Sequence, residues 1–133
     1  KKISKNIGIE NDIVFTGYLS GDEKLDIFSK CDVLVFPSYT EGFPTAVIEA
    51  MASGLAIICT SVGGLNDFFE DGKNGFFLNH NPPQIKDLQT KIMRMIGNNK
   101  SLKKMQTHNM YQARKNFDTK IVCDKISNIY DSV

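Results

Sequence analysis

Two short runs, Val33-Leu34-Val35-Phe36 and Ala56-Ile57-Ile58-Cys59, are apolar at every position. A strand with one face in water alternates apolar and polar residues. One that is apolar on both faces is covered on both sides, as in a parallel sheet between helices. The segment between the two runs, roughly residues 45–53, has helical character and makes a strand–helix–strand unit. Gly54 stands where a helix end takes a left-handed residue. Two more strands are predicted, at Ile13-Val14-Phe15-Thr16-Gly17 and Gly75-Phe76-Phe77-Leu78. Ser20 with Glu23 three residues on predicts a capping box that opens a helix to about Lys30.

Beyond residue 80 the strand signal stops. Ile85, Leu88, Ile92, Met95 and Ile96 fall at helical spacing. So do Leu102, Met105, Met110 and Ala113, and then Ile121, Val122, Ile126, Ile129 and Tyr130. Such stripes are expected to be core faces. The fold class is α/β, a doubly wound parallel sheet with a helical C-terminal tail.

With 133 residues, one domain with a real core is expected. No apolar stretch is long enough to span a bilayer, and residues 1–12 are polar and charged, unlike a secretory leader. The three cysteines, Cys31, Cys59 and Cys123, lack metal-ligand spacing. Cys31 and Cys59 adjoin apolar runs and read as buried thiols in a reducing, cytoplasmic setting. Residues 1–85 hold six Lys or Arg against eleven Asp or Glu, and residues 86–133 hold ten against four. The tail's lysines, spread along it, read as solvated helix faces. The other reading is an approach to an anionic membrane or a phosphorylated acceptor.

In an open parallel sheet, ligands bind beyond the carboxyl ends of the strands. The most informative loop there is Pro37–Thr45, which contains Glu41-Gly42-Phe43-Pro44 and leads into Ala46-Val47-Ile48-Glu49-Ala50-Met51-Ala52. Gly42 lets a ligand approach the backbone. Thr45 as N-cap leaves the first helical N–H groups aimed at the loop, an anion site suited to a diphosphate. Glu49 lies one turn further on the same face, where its two oxygens could take the paired donors of a ribose diol. Its apolar neighbours predict a buried carboxylate that needs a partner. Glu41, on the loop, could reach sugar hydroxyls beyond the diphosphate. Taken singly, each glutamate reads as a solvated surface residue.

The segments Phe36-Pro37-Ser38, Glu41-Gly42-Phe43-Pro44 and Glu49-Ala50-Met51-Ala52-Ser53-Gly54 together resemble the signature of family-4 (group 1) retaining glycosyltransferases of GT-B fold. The resemblance extends to Val14-Phe15-Thr16-Gly17, Ser61-Val62-Gly63-Gly64 and Asp71-Gly72-Lys73-Asn74-Gly75-Phe76. It implies that the chain is the Rossmann-like C-terminal donor-binding half, truncated at its N-terminus and lacking the acceptor domain and the upstream basic residues used against the diphosphate. It also implies that Glu49 binds the donor ribose and that Glu41 acts beside the donor sugar as the catalytic residue. The backbone at Gly42 and Phe43 would meet the sugar hydroxyls, Thr45 and Ala46 would face the diphosphate, and Tyr18 and Leu19 would flank the base. The implied reaction is metal-independent, and no Asp-x-Asp motif occurs. Transfer would proceed with retention, from a nucleotide-diphosphate sugar to a saccharide or lipid-linked acceptor, as in bacterial surface polysaccharide synthesis. Peripheral membrane contact fits such an acceptor, and no nucleic-acid partner is expected.

Three departures from the family pattern stand out: Ala56 for a common Pro, Asn66-Asp67 for Pro-Glu, and Pro44, which removes one N–H donor. The second leaves the role of the Gly63–Asp67 loop open. A non-catalytic nucleotide-binding domain of the same fold is the main alternative. A sugar-nucleotide epimerase shares the fold but not the paired-glutamate context. A dinucleotide oxidoreductase would need a G-x-G-x-x-G turn, which Gly63-Gly64 is not.

Overall fold

The computed structural model describes residues 1–79 and 81–132. Its sheet has three parallel strands in the order β1 (Val33–Phe36), β2 (Ala56–Thr60), β3 (Gly75–Leu78), with Val33 opposite Ala56 and Ile57 opposite Gly75. The helices are α1 (Lys2–Asn6), α2 (Gly21–Ser29), α3 (Thr45–Ala52), α4 (Ile85–Ile96), α5 (Asn99–Phe117) and α6 (Thr119–Asp131). A 3-10 helix at Gly63–Asp67 follows β2. Among the described residues no helix is long and apolar enough to cross a membrane.

The unbroken apolar character of β2 has the predicted cause: every one of its residues is buried. Ile57 and Cys59 pack with Val47, Ala50 and Met51 of α3 and Ala113 of α5, while Ala56 and Ile58 pack on the other face with Phe76, Leu78, Met95 of α4 and Met105 of α5. Helices therefore cover both faces of the sheet. Removing this much apolar surface from water is the main force holding the three layers together.

The end of α3 follows the prediction. Gly54 has φ +84, the Leu55 amide donates to the Ala50 carbonyl at 3.0 Å, and the Gly54 amide donates to Met51 at 3.0 Å. This is a Schellman closure, which turns the chain directly into β2.

Helix α5 ties the amino ends of the strands together. Gln106 donates to the carbonyl and carboxylate of Asp32 before β1. The fully buried Asn109 donates to the carbonyls of Leu55 and Asn74 at 2.7 and 2.8 Å, and accepts from the Asn74 side chain at 2.7 Å. The helix then runs along α3 and ends at Phe117, against Phe43 and Phe68.

Several expectations are corrected. Ile13–Gly17 is not a strand, since no described segment pairs with its backbone, and Val14 and Phe15 are 84 % and 52 % exposed. A strand pattern is local, but a strand exists only where a neighbour takes its hydrogen bonds. Ser20 does occupy the N-cap of α2, yet its side chain makes no capping bond. Cys31 is exposed and only Cys59 is buried. The stripe on α6 is not a core face: the helix buries no residue, and Ile129 and Tyr130 are exposed. Among the described residues its main packing partner is α5. On α4 the stripe is half realised, with Met95 buried but Ile85 and Ile96 exposed.

Candidate functional site

The Ser38–Pro44 loop leaves the carboxyl end of β1 and turns into α3. The Ser38 hydroxyl donates to Glu41 Oε1 at 2.6 Å, and the Thr60 hydroxyl, from the last residue of β2, donates to the Ser38 carbonyl. Glu41 is thus half-buried and held by a loop that β2 itself anchors. An acceptor-only carboxylate given a hydroxyl donor is fixed in direction, and its remaining lone pairs stay available to a ligand.

The Gly63-Gly64 pair, left without a role by the sequence, supports this loop from behind. The Gly64 amide donates to the Gly42 carbonyl at 2.8 Å. A Cβ on Gly63 would stand 2.2 Å from the Glu41 carbonyl oxygen, and one on Gly64 would stand 2.5 Å from the Phe43 ring. Gly63 also has φ +54, a conformation side chains resist. Gly63 is required by the close approach of two backbones, and Gly64 by the seat of the Phe43 ring. Phe43 then stacks on Phe68 and Phe117, with ring centroids 5.8 and 6.2 Å apart, which fastens the loop to the end of α5.

Pro44, not Thr45, takes the N-cap of α3, with φ −79 and ψ 88, and makes no side-chain cap. Thr45 is the first helical residue, so its hydroxyl is not committed to capping. Proline has no N–H to offer, and the amides of Thr45 and Ala46 open the helix. The positive end of the α3 dipole is aimed at the Glu41 loop, as the sequence suggested.

Glu49 is not the buried carboxylate its apolar neighbours predicted. Its side chain is 38 % exposed, and Oε2 lies 2.6 Å from Lys24 Nζ on α2. Oε2 is itself shielded from solvent, and among the described residues no donor meets it with hydrogen-bond angles, so the contact is ionic. The reason for the correction is the position of α2: it leaves one side of Glu49 open and supplies a cation to the other. Oε1 remains for a ligand. Tyr18 and Leu19 precede α2; Tyr18 is 92 % exposed and Leu19 is partly buried. Among the described residues no three His, Cys, Asp or Glu side chains gather as a metal-ligand set.

Sequence reasoning missed Lys24, Ser38 as the partner of Glu41, Thr60, Phe68 and Phe117. Ser38 stood within the quoted motif and could have been found by its spacing of three from Glu41. Lys24 carried no signal, because its partner is 25 positions away.

Residues 1–113 match the family model of the glycosyl transferases group 1. The chain belongs to this family.

Among the relatives of this group 1 chain is the uncharacterized glycosyltransferase MJ1178 of Methanocaldococcus jannaschii, 35 % identical over all of this chain and 38 % of its own length. Two solved structures have a TM-score of 0.86. Sucrose-phosphate synthase from Thermosynechococcus elongatus is 21 % identical, with 98 % of this chain and 32 % of that one covered. Anabaena Alr3699/HepE in complex with UDP is 22 % identical, with 99 % and 35 % covered. At these identities the structures establish the fold, the Rossmann-like unit of GT-B proteins. The group 1 chain spans between 32 % and 38 % of the length of these proteins.

Proposed function

We propose that this group 1 chain binds the nucleotide-diphosphate sugar of a retaining glycosyltransferase whose acceptor-binding part lies outside the 133 residues. The observation that carries the reading is the pairing of Glu41 and Glu49 around the amino end of α3. One is held by Ser38 on the loop, and the other is paired with Lys24 one turn into the helix. In this reading Glu49 accepts from the ribose diol through Oε1. Glu41 acts beside the sugar, and the backbone at Gly42 and Phe43 meets its hydroxyls.

The amides of Thr45 and Ala46 receive the diphosphate, and Tyr18 and Leu19 flank the base. The helix end supplies positive potential where charge develops on the leaving diphosphate, so no metal ion is required. The protein's contribution is then positioning and electrostatic stabilisation. A cytoplasmic setting, a saccharide or lipid-linked acceptor and a place in surface polysaccharide synthesis belong to the same reading.

Calorimetry on the full-length protein tests it, with nucleoside diphosphates, nucleotide sugars and NAD⁺ as titrants. Binding of at least one nucleoside diphosphate and its sugar conjugate is expected, with turnover that survives EDTA. Binding of NAD⁺ alone would overturn the reading, and donor binding without transfer would favour the non-catalytic alternative.

A further inference from the structure

The tail's lysines are spread in sequence, but the structure gathers those of α5 on one face. Lys100, Lys103, Lys104, Arg114 and Lys115 are all exposed, and the helix contains no Asp or Glu. Among the described residues none of the five forms an ion pair with a carboxylate. From Lys100 to Lys115 the stripe is roughly 22 Å long at 1.5 Å per residue. Glu70, whose carboxylate is near enough to His108 of α5 to feel its charge, is already taken by Lys73 at 2.5 Å, which holds its carboxyl below the usual range.

Between the lysines lies a shallow, open trough around Thr107, flanked by Lys100, Lys104, His108 and Tyr111. Its walls are largely aliphatic stem and ring, with the ammonium heads at the rim. Tyr111 is 63 % exposed, and Lys115 lies over its ring at 5.8 Å. Lysine stems and tyrosine rings are the side chains that settle at a boundary between apolar and wet phases.

We infer that the outer face of α5 docks on an anionic lipid bilayer. The charge is complementary, and the trough offers apolar walls under cationic heads, which fits an amphiphile. A single helix face has neither the sheet edge nor the paired-helix groove that would grip an acidic peptide. A row of cations near such a surface contributes about 1 kcal/mol each, roughly a fivefold change in partition. Gln106 and Asn109, in the middle of α5, hold the amino ends of the strands, and Phe117 at its end packs on Phe43 of the Glu41 loop. It is therefore the first turns, with Lys100, Lys103 and Lys104, that lie away from the candidate donor site. The inference stands apart from the donor reading, since its test reads vesicle partition rather than nucleotide affinity.

The test is co-sedimentation of the chain with phosphatidylcholine vesicles and with vesicles in which phosphatidylglycerol replaces part of that lipid. Partition onto the anionic vesicles alone is expected, and it should weaken as salt passes about 0.1 M, where the screening length falls to ~10 Å. The triple variant Lys100→Gln, Lys103→Gln, Lys104→Gln should lose on the order of 100-fold in partition. Its circular dichroism should be unchanged, because all three side chains are exposed. Lys120→Gln with Lys125→Gln on α6 should change little. Wild-type partition by the triple variant, equal binding to neutral vesicles, or no binding to anionic vesicles at low salt would overturn the inference. So would tighter binding to duplex RNA than to anionic vesicles at equal phosphate concentration.

Discussion

Lys24 Nζ lies 2.6 Å from Glu49 Oε2, joining α2 to α3 through a partly exposed ion pair. A pair this exposed contributes only about 0–1 kcal/mol to stability, so its value lies in where it holds the carboxylate. Glu49→Ala should weaken free nucleoside diphosphate and donor alike, by roughly 1.5–3 kcal/mol, as for hydrogen bonds to a charged group. Lys24→Met should weaken both by less, about 0.5–1 kcal/mol, and Lys24→Arg should restore most of it. In the double variant the Lys24 effect should vanish, because Lys24 acts through Glu49. Calorimetry on the full-length protein measures all four. Additive losses would show that Lys24 touches the ligand itself.

Glu41 should answer to the sugar and not to the nucleotide. Glu41→Ala is expected to leave free nucleoside diphosphate affinity nearly unchanged while lowering turnover of the full-length enzyme by about 10- to 1000-fold. Ser38→Ala removes the hydroxyl that directs the carboxylate at 2.6 Å and should give a smaller loss of the same kind. Loss of nucleotide binding in Glu41→Ala, with normal binding in Glu49→Ala, would reverse the two assignments.

Gly63 and Gly72 both have positive φ, +54 and +81, but only at Gly63 would a Cβ meet a backbone, 2.2 Å from the Glu41 carbonyl. Gly72→Ala should therefore cost about 1–2 kcal/mol, from conformation alone. Gly63→Ala should cost distinctly more and displace the Glu41 loop as well. Thermal denaturation of both variants, with donor turnover in the full-length protein, checks this. Equal destabilisation with full turnover in both would show that the two loops are not coupled.

Asn109 satisfies two buried carbonyls at the amino ends of the sheet. Asn109→Leu should lower stability by about 1–3 kcal/mol, the cost of one orphaned buried group. The Leu55 carbonyl loses its donor, while the Asn74 carbonyl keeps the Ile57 amide at 3.1 Å. Urea denaturation reads the loss. A change under about 1 kcal/mol would mean that the Leu55 carbonyl finds another partner.

Burial, followed by the Asp71 carboxylate, pushes the Cys59 thiol up from 9.0 to about 12. Thiol reagents at neutral pH should label Cys31 and Cys123 in the native chain, and Cys59 only after unfolding. Between pH 9 and 12 the unfolded thiol ionises while the folded one stays neutral, so stability contributed by Cys59 is whole below pH 9 and falls through that window. The alkaline fall in melting temperature should be smaller in Cys59→Ala.

Much of the fold was determined by the sequence alone. The uninterrupted apolar run at residues 56–59 marked a strand covered on both faces, and Gly54 required a left-handed helix end, because these are properties of a few adjacent residues. The equally apolar run at 33–36 became an edge strand with no residue buried and Val35 37 % exposed. The Glu41-to-Glu49 segment likewise carried its own geometry, a loop running into a helix amino end. Tertiary structure decided whatever depends on a distant partner. It left Ile13–Gly17 without a neighbour to make it a strand, and it exposed the stripe of α6, which periodicity alone assigned to a core. It brought Lys24 to Glu49 and Gly63 beneath Glu41, and it turned scattered lysines into one face of α5. Backbone conformation and periodicity act over a few residues. Pairing, burial and charge act through space, between residues whose separation along the chain carries no record of their meeting.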